Sequence, residues 1–210
     1  IILGPTLSIR RAIGRAGVKL AMALIGAPLS VKGLEHLPAG AAICVSNHAS
    51  YLDGLVLTAA LPARYSFLVQ HGAARWPLVG PTIARMGVRF VNRGSPREAA
   101  ASIRELLRRI QQNGECFAIF PEGTFKRSPG LLRFNSGAFM IAARSGVPVV
   151  PAVIRGTRKL FPEGARLPHH SAVEIEFFAP VTPTGTDKAA EQALTEGVRT
   201  VMLTHCDDPD

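Results

Sequence analysis

The sequence predicts a single α/β domain with a mainly parallel central sheet flanked by helices, preceded by an N-terminal amphipathic helix. Short apolar runs alternate with amphipathic stretches through most of the chain, the pattern of strands joined by helices. Residues 6–25 repeat with a helical period instead. At 210 residues and 47% hydrophobic content, the chain is long enough for one full core and short for two.

Within residues 6–25, Ile9, Ile13, Ala16, Leu20 and Leu24 fall on one helical face, and Arg11, Arg15 and Lys19 form a separate stripe. Such a helix either caps the core with its cations in water or lies in a lipid surface. The uncharged stretch from Leu20 to Val31 is shorter than the roughly 20 residues a spanning helix needs. It also contains Gly26 and Pro28, and no signal-peptide cleavage pattern follows it. A first residue of isoleucine is what a processed or partial chain would show. Residues 1–29 are therefore set apart as the basic amphipathic helix, and 30–210 as the main domain. In that domain, residues 41–46, 65–69, 88–91, 116–120, 149–154 and 173–178 are predicted strands. Residues 51–60, 97–112, 137–144 and 189–205 are predicted helices, and 161–171, rich in Pro, Gly and His, a long surface loop.

Lys and Arg number 24 against 15 Asp and Glu, and the net charge of +9 favours an anionic partner. Nucleic acid ranks low, because Tyr51, Tyr65 and Trp76 lie outside any basic cluster and no zinc-finger or recognition-helix spacing occurs. An anionic membrane surface and a phosphorylated substrate remain. Cys44, Cys116 and Cys206 are widely spaced and odd in number, so neither a disulfide framework nor a metal site is indicated, and a reducing cytoplasm fits.

Asp53 is the only aspartate before Asp187, which removes paired-aspartate chemistry, and no G-x-S-x-G, P-loop, G-x-G-x-x-G or H-E-x-x-H occurs. What is left is acid–base work by histidine and electrostatic work by cations. His48 leaves one predicted strand and Asp53 enters the following helix, the end of a strand where open α/β sheets place ligands. A carboxylate on one ring nitrogen fixes the tautomer and leaves the other nitrogen as base. Five positions apart on one helix the two side chains would point about 140° apart, so His48 belongs in the turn before it. Ser50 and Asp53 also match a capping box, in which Asp53 serves only the helix start. A second strand end carries Phe120-Pro121-Glu122-Gly123-Thr124-Phe125-Lys126-Arg127, which also reads as a plain surface turn. A third carries Arg89 and Arg93 on one side of an extended chain, either a phosphate clamp or a solvated edge.

Taken in order, N-H-x-x-x-x-D ending at Asp53, G-x-x-F-V-x-R ending at Arg93, F-P-E-G-T ending at Thr124 and V-P-V-V-P ending at Pro151 resemble the four blocks of the glycerophospholipid acyltransferase family. The resemblance spans roughly residues 30–155. It implies that 30–210 is an acyltransferase catalytic domain, with His48 as base, Asp53 as its partner, Glu122 and Gly123 in acceptor binding and Arg93 at a phosphate. Thr124, Lys126 and Arg127 join them as acceptor- and phosphate-binding candidates. The implied reaction is O-acyl transfer from acyl-CoA or acyl carrier protein to a lysophospholipid hydroxyl, foremost lysophosphatidic acid, in phospholipid biosynthesis. It needs no cofactor beyond the acyl co-substrate, and places the protein peripherally on the cytoplasmic face of an anionic membrane. Backbone N–H groups around Glu122 are candidates for stabilising the thioester oxygen. Phe125, Leu131, Leu132 and Phe134 either line an acyl groove or belong to the core. After E-G-T the family commonly places arginine and serine at once, whereas Phe125 and Lys126 intervene here. Either Arg127 loops back or the acceptor head group differs, so transfer to a glycolipid or amino-acid lipid, thioester hydrolysis and a non-catalytic membrane-binding module are alternatives.

Overall fold

The computed structural model describes residues 4–70, 79–91, 96–124, 130–162, 165 and 167–206. An N-terminal helix, α1 (Leu7–Leu24), leads into β1 (Leu29–Lys32) and a short 3-10 turn. There follow β2 (Ile43–Ser46), α2 (Asp53–Ala60), β3 (Tyr65–Gln70), α3 (Val79–Arg85), β4 (Arg89–Val91) and α4 (Pro96–Asn113). The second half contributes β5 (Cys116–Ile119), α5 (Gly137–Ser145), β6 (Val149–Arg155), α6 (Thr157–Leu160), β7 (Val173–Phe177) and α7 (Lys188–His205).

Among the described residues seven strands form one sheet in the order β1-β7-β6-β2-β5-β3-β4, parallel at every pairing except the antiparallel β6–β7. Helices cover both faces, so the central strands are apolar without alternation: every residue of β2 and β5 is buried. The pleat still sorts them. Cys44 joins Ala118, Val150 and Ile154 under α1 and α2, against Met22, Val56 and Leu57. Ile43 and Val45 join Phe117 and Val153 under α4, α5 and α7, against Leu106, Phe139 and Val198. Toward the edge, β7 alternates buried Val173, Ile175 and Phe177 with less buried Glu174 and Glu176. Because β5, β2 and β6 are neighbours running the same way, the turns after Ile119, Ser46 and Arg155 open at one end of the sheet.

The predicted strands and the helices α2, α4, α5 and α7 are present, with ends shifted by a residue or two. Among the described residues, two α-helices, one strand and the 3-10 turn were not predicted. The edge strand β1 is four residues with alternating exposure and disappears into the apolar stretch before it. Gly80 and Pro81 make α3 read as a loop, and α6 is a single turn.

Helix α1 docks through a face that hydropathy does not mark. Thr6 caps its start by accepting from the Ile9 N–H (3.3 Å), and Gly14, Val18 and Met22, spaced four apart, pack inward. The apolar stripe points the other way: Ile9 and Ile13 are exposed, Leu20 retains 61% and Leu24 77% of its accessible surface. This stripe is therefore not what caps the core. Arg11 is not part of a solvated cationic stripe either. Its Nε donates to the Met86 carbonyl (2.9 Å) and its Nη1 to that of Ala63 (2.8 Å), just before β4 and β3 begin. Burial pulls its pKa down, with Glu115 pulling the other way. Arg89 opens β4 at this same end, opposite His48, so it does not pair with the site as a clamp.

Replacing Arg11 with Met leaves two carbonyls without their charged donor. The unfolding free energy in urea is expected to fall by about 2 kcal/mol. Arg15→Met, with no such partners among the described residues, is expected to change it by less than about 0.5 kcal/mol.

Candidate active site

The site is built where β2 ends. Asn47, buried, continues the ladder with its side chain: Nδ2 donates to the Ile154 carbonyl (2.9 Å) and Oδ1 accepts from the Ile154 N–H (2.7 Å). This ties the outgoing loop to β6 and sets the direction of the next residue, His48, which lies in the turn before α2 as its spacing to Asp53 requires. The imidazole stacks on Phe120 at the end of β5, centroids 4.3 Å apart and planes at 20°. Its Nδ1 lies 2.9 Å from Asp53 Oδ2. The side chain keeps 19% exposure while Asp53 keeps none.

Asp53 serves histidine and helix at once. Besides His48, Oδ2 accepts the backbone N–H groups of Ala49 (2.6 Å) and Ser50 (2.7 Å), and Oδ1 accepts the Thr157 hydroxyl (2.6 Å). The Ser50 contact closes the turn that leads into α2, and the Ser50 hydroxyl accepts from the Leu52 N–H (3.3 Å). Asp53 therefore closes the turn before α2 while it pairs with His48, but the capping box is not formed: the position before the helix is Leu52, which carries no side-chain cap. Asp53 lies on Nδ1, so the carboxylate engages one ring nitrogen and not Nε2.

Glu122 is a strut between loops. Its Oε1 accepts the His48 N–H (2.7 Å) and its Oε2 the Leu132 N–H (2.8 Å). Asn135 holds the same turn, donating from Nδ2 to the carbonyls of Pro121 (2.9 Å) and Glu122 (3.0 Å). Glu122 is buried, and desolvation pushes its pKa up despite the two backbone donors. These contacts narrow one expectation: the amides of His48 and Leu132 are taken by Glu122, and that of Gly123 by the Phe120 carbonyl (3.1 Å), so these three are not donors waiting for an oxyanion. Gly123 turns the chain at φ 74°, a left-handed conformation that favours glycine. Thr124 is exposed beyond it. An open cavity of about 520 Å³ adjoins Glu122, lined by Leu132, Arg133, Phe134, Asn135 and Ser136. Leu131 is a core residue under α5 and α7, and Phe134 belongs to the same core cluster while also edging this cavity beside Leu132.

The structure thus brings His48, Asp53, Glu122 and Gly123 together at one end of the sheet. Arg93, Phe125, Lys126 and Arg127 lie outside the described residues. Sequence reasoning missed Asn47, Phe120 and Thr157 as parts of the site. The signal available for Thr157 was a hydroxyl three positions beyond a predicted strand at the ligand end of the sheet.

A parallel α/β sheet with a histidine–carboxylate pair at its ligand edge and a glutamate turn beside it is the arrangement the four blocks anticipate. A family model described as Acyltransferase matches residues 28–155, and the chain belongs to that family. Among its relatives is the chloroplastic 1-acyl-sn-glycerol-3-phosphate acyltransferase BAT2 of Brassica napus, 34% identical over 82% of this chain and 51% of the relative. The 1-acyl-sn-glycerol-3-phosphate acyltransferase of Borreliella burgdorferi is 31% identical over 70% of this chain and 59% of its own. The chain spans about half the length of the plant relatives it matches. The crystal structure of the 1-acyl-sn-glycerophosphate acyltransferase PlsC from Thermotoga maritima superposes with a TM-score of 0.70 at 25% identity, covering 95% of this chain and 84% of that one.

Glu122→Gln keeps the shape but turns an amide N–H toward a backbone N–H, an expected loss of about 1–3 kcal/mol. The loss depends on pH. Because the folded state raises the pKa of Glu122 above its unfolded value, wild-type stability falls as pH rises from the unfolded to the folded pKa. The wild-type advantage over Glu122→Gln is therefore expected to be greatest in acid and to narrow as pH rises, read by urea unfolding across that range. A gap that widens with pH would contradict the assignment.

Proposed function

We propose that this chain transfers a fatty acyl group from an acyl thioester, acyl-CoA or acyl carrier protein, to the free hydroxyl of lysophosphatidic acid, with His48 as general base. The observation that carries the reading is the His48 Nδ1–Asp53 Oδ2 contact of 2.9 Å in a turn at the ligand end of the sheet. As the acceptor oxygen attacks the thioester carbonyl, its proton passes to His48 Nε2, and Asp53 stabilises the imidazolium that forms. The tetrahedral intermediate collapses with loss of thiolate, whose conjugate pKa of roughly 8.5 makes a strong general acid unnecessary. The thiolate then takes up the proton held on Nε2. No covalent acyl-enzyme is required. Glu122 supports the base indirectly, since its carboxylate holds the His48 backbone. Thr124, Lys126, Arg127 and Arg93 are the residues we assign to the acceptor and its phosphate. The names of the relatives support this acceptor.

We further propose that α1 rests in an anionic membrane surface on the cytoplasmic side. Its outward apolar stripe with Arg15 and Lys19 alongside supports this, and no helix among the described residues is long and apolar enough to cross a membrane.

Incubation with lysophosphatidic acid and a labelled acyl thioester is expected to yield the diacyl product, and His48→Ala to reduce turnover by about 10²–10⁴-fold. Product formed only with another lipid alcohol would overturn the acceptor, and no product with any acceptor would leave a membrane-binding module. On anionic vesicles, Leu20→Ser with Leu24→Ser is expected to weaken binding by at least about tenfold. Arg15→Gln with Lys19→Gln should weaken it at low salt only. Unchanged binding in both would remove α1 from the surface.

A further inference from the structure

We propose that Thr157 is a positioning residue for proton transfer: its buried hydroxyl holds Asp53 Oδ1 so that Oδ2 stays turned to His48 Nδ1. The contact is short (2.6 Å), and both residues are excluded from solvent. It joins positions 104 apart in the chain and lies two residues beyond the segment that the family model matches.

The distribution of donors gives the hydroxyl its importance. Oδ2 receives three hydrogen bonds, from His48, Ala49 and Ser50, whereas Oδ1 receives only that of Thr157 among the described residues. The torsion about a carboxylate's terminal bond is broad and nearly two-fold, so without a partner on Oδ1 the group can turn and share His48 between its oxygens. The hydroxyl is itself rigidly aimed. Threonine is β-branched and stiff at χ1, and Thr157 opens α6 on a tight turn from β6. Gly156 makes that turn at φ 86°, where a Cβ would come within 2.0 Å of the Ala172 carbonyl oxygen, so only glycine fits. The sharp turn carries the end of β6 over the start of α2. Thr58 and Thr195 turn their hydroxyls back to a carbonyl four residues earlier in their own helices, whereas Thr157, the first residue of α6, has no such carbonyl in its helix and donates across the fold to Asp53.

The proposal rests on His48 acting as base, and its test separates the two. Turnover with lysophosphatidic acid and an acyl thioester, both KM values, the pH profile of kcat and thermal unfolding are measured on the full chain and on Thr157→Val, Thr157→Ser and His48→Ala. Thr157→Val is expected to lower kcat about tenfold, the rate equivalent of one lost hydrogen bond, with both KM values within about twofold. Its acid limb should move to higher pH, because a carboxylate relieved of one donor holds the imidazolium more strongly. Thr157→Ser restores the hydroxyl and is expected to recover both kcat and the limb. The proposal is overturned if the Val variant keeps wild-type turnover and profile, if Ser is as impaired as Val, or if Val unfolds at assay temperature so that the hydroxyl serves the fold. An active His48→Ala protein would instead overturn the base assignment, whatever the Thr157 variants do.

Discussion

One buried carboxylate joins the parts of this structure that matter for chemistry. Asp53 collects donors from the loop after β2 and from the turn after β6, and it is itself the first residue of α2. An ionised carboxylate is acceptor-only and is costly to bury unless such donors surround it, so four hydrogen bonds on two oxygens are what make the burial tolerable. The same four bonds define where His48 stands. The helix start, the loop path and the orientation of the imidazole are therefore one arrangement with one centre.

A second buried carboxylate supports the first from the turn after the neighbouring strand, β5. Glu122 has no charged partner in its hydrogen bonds; it spends both oxygens on the backbone of His48 and Leu132, and its raised pKa records the cost. With Phe120 stacked against the ring, the turn after β5 holds His48 by backbone and by side chain while Asp53 holds it by Nδ1. This is possible because β2 is central and parallel to both neighbours, so consecutive strand ends present their turns to one another. A mixed order at this point would have sent one of the turns to the far end of the sheet.

Much of this was legible in sequence. Short apolar runs at residues 41–46 and 116–120 announced strands of a mainly parallel sheet, and the His48–Asp53 spacing correctly required a turn before the helix. Other features depend on tertiary contacts that no local pattern carries. The direction of β7 is hidden by the loop before it, whose length suits either orientation. Helix α1 shows a clear apolar period, but the face that docks holds a glycine and a clamped arginine, Gly14 and Arg11, which hydropathy scores as polar or neutral. The F-P-E-G-T block identified Glu122 but not that its oxygens point at backbone amides, and Thr157 belongs to no motif at all.

The central claim is that His48 and Asp53 act as a unit. A double-mutant cycle on kcat with His48→Ala, Asp53→Asn and the double variant, each shown to be folded by thermal unfolding, tests it most directly. If Asp53 works through His48, the double variant is no slower than His48→Ala alone. Losses that multiply would show that Asp53 contributes independently of the histidine, and would contradict the account.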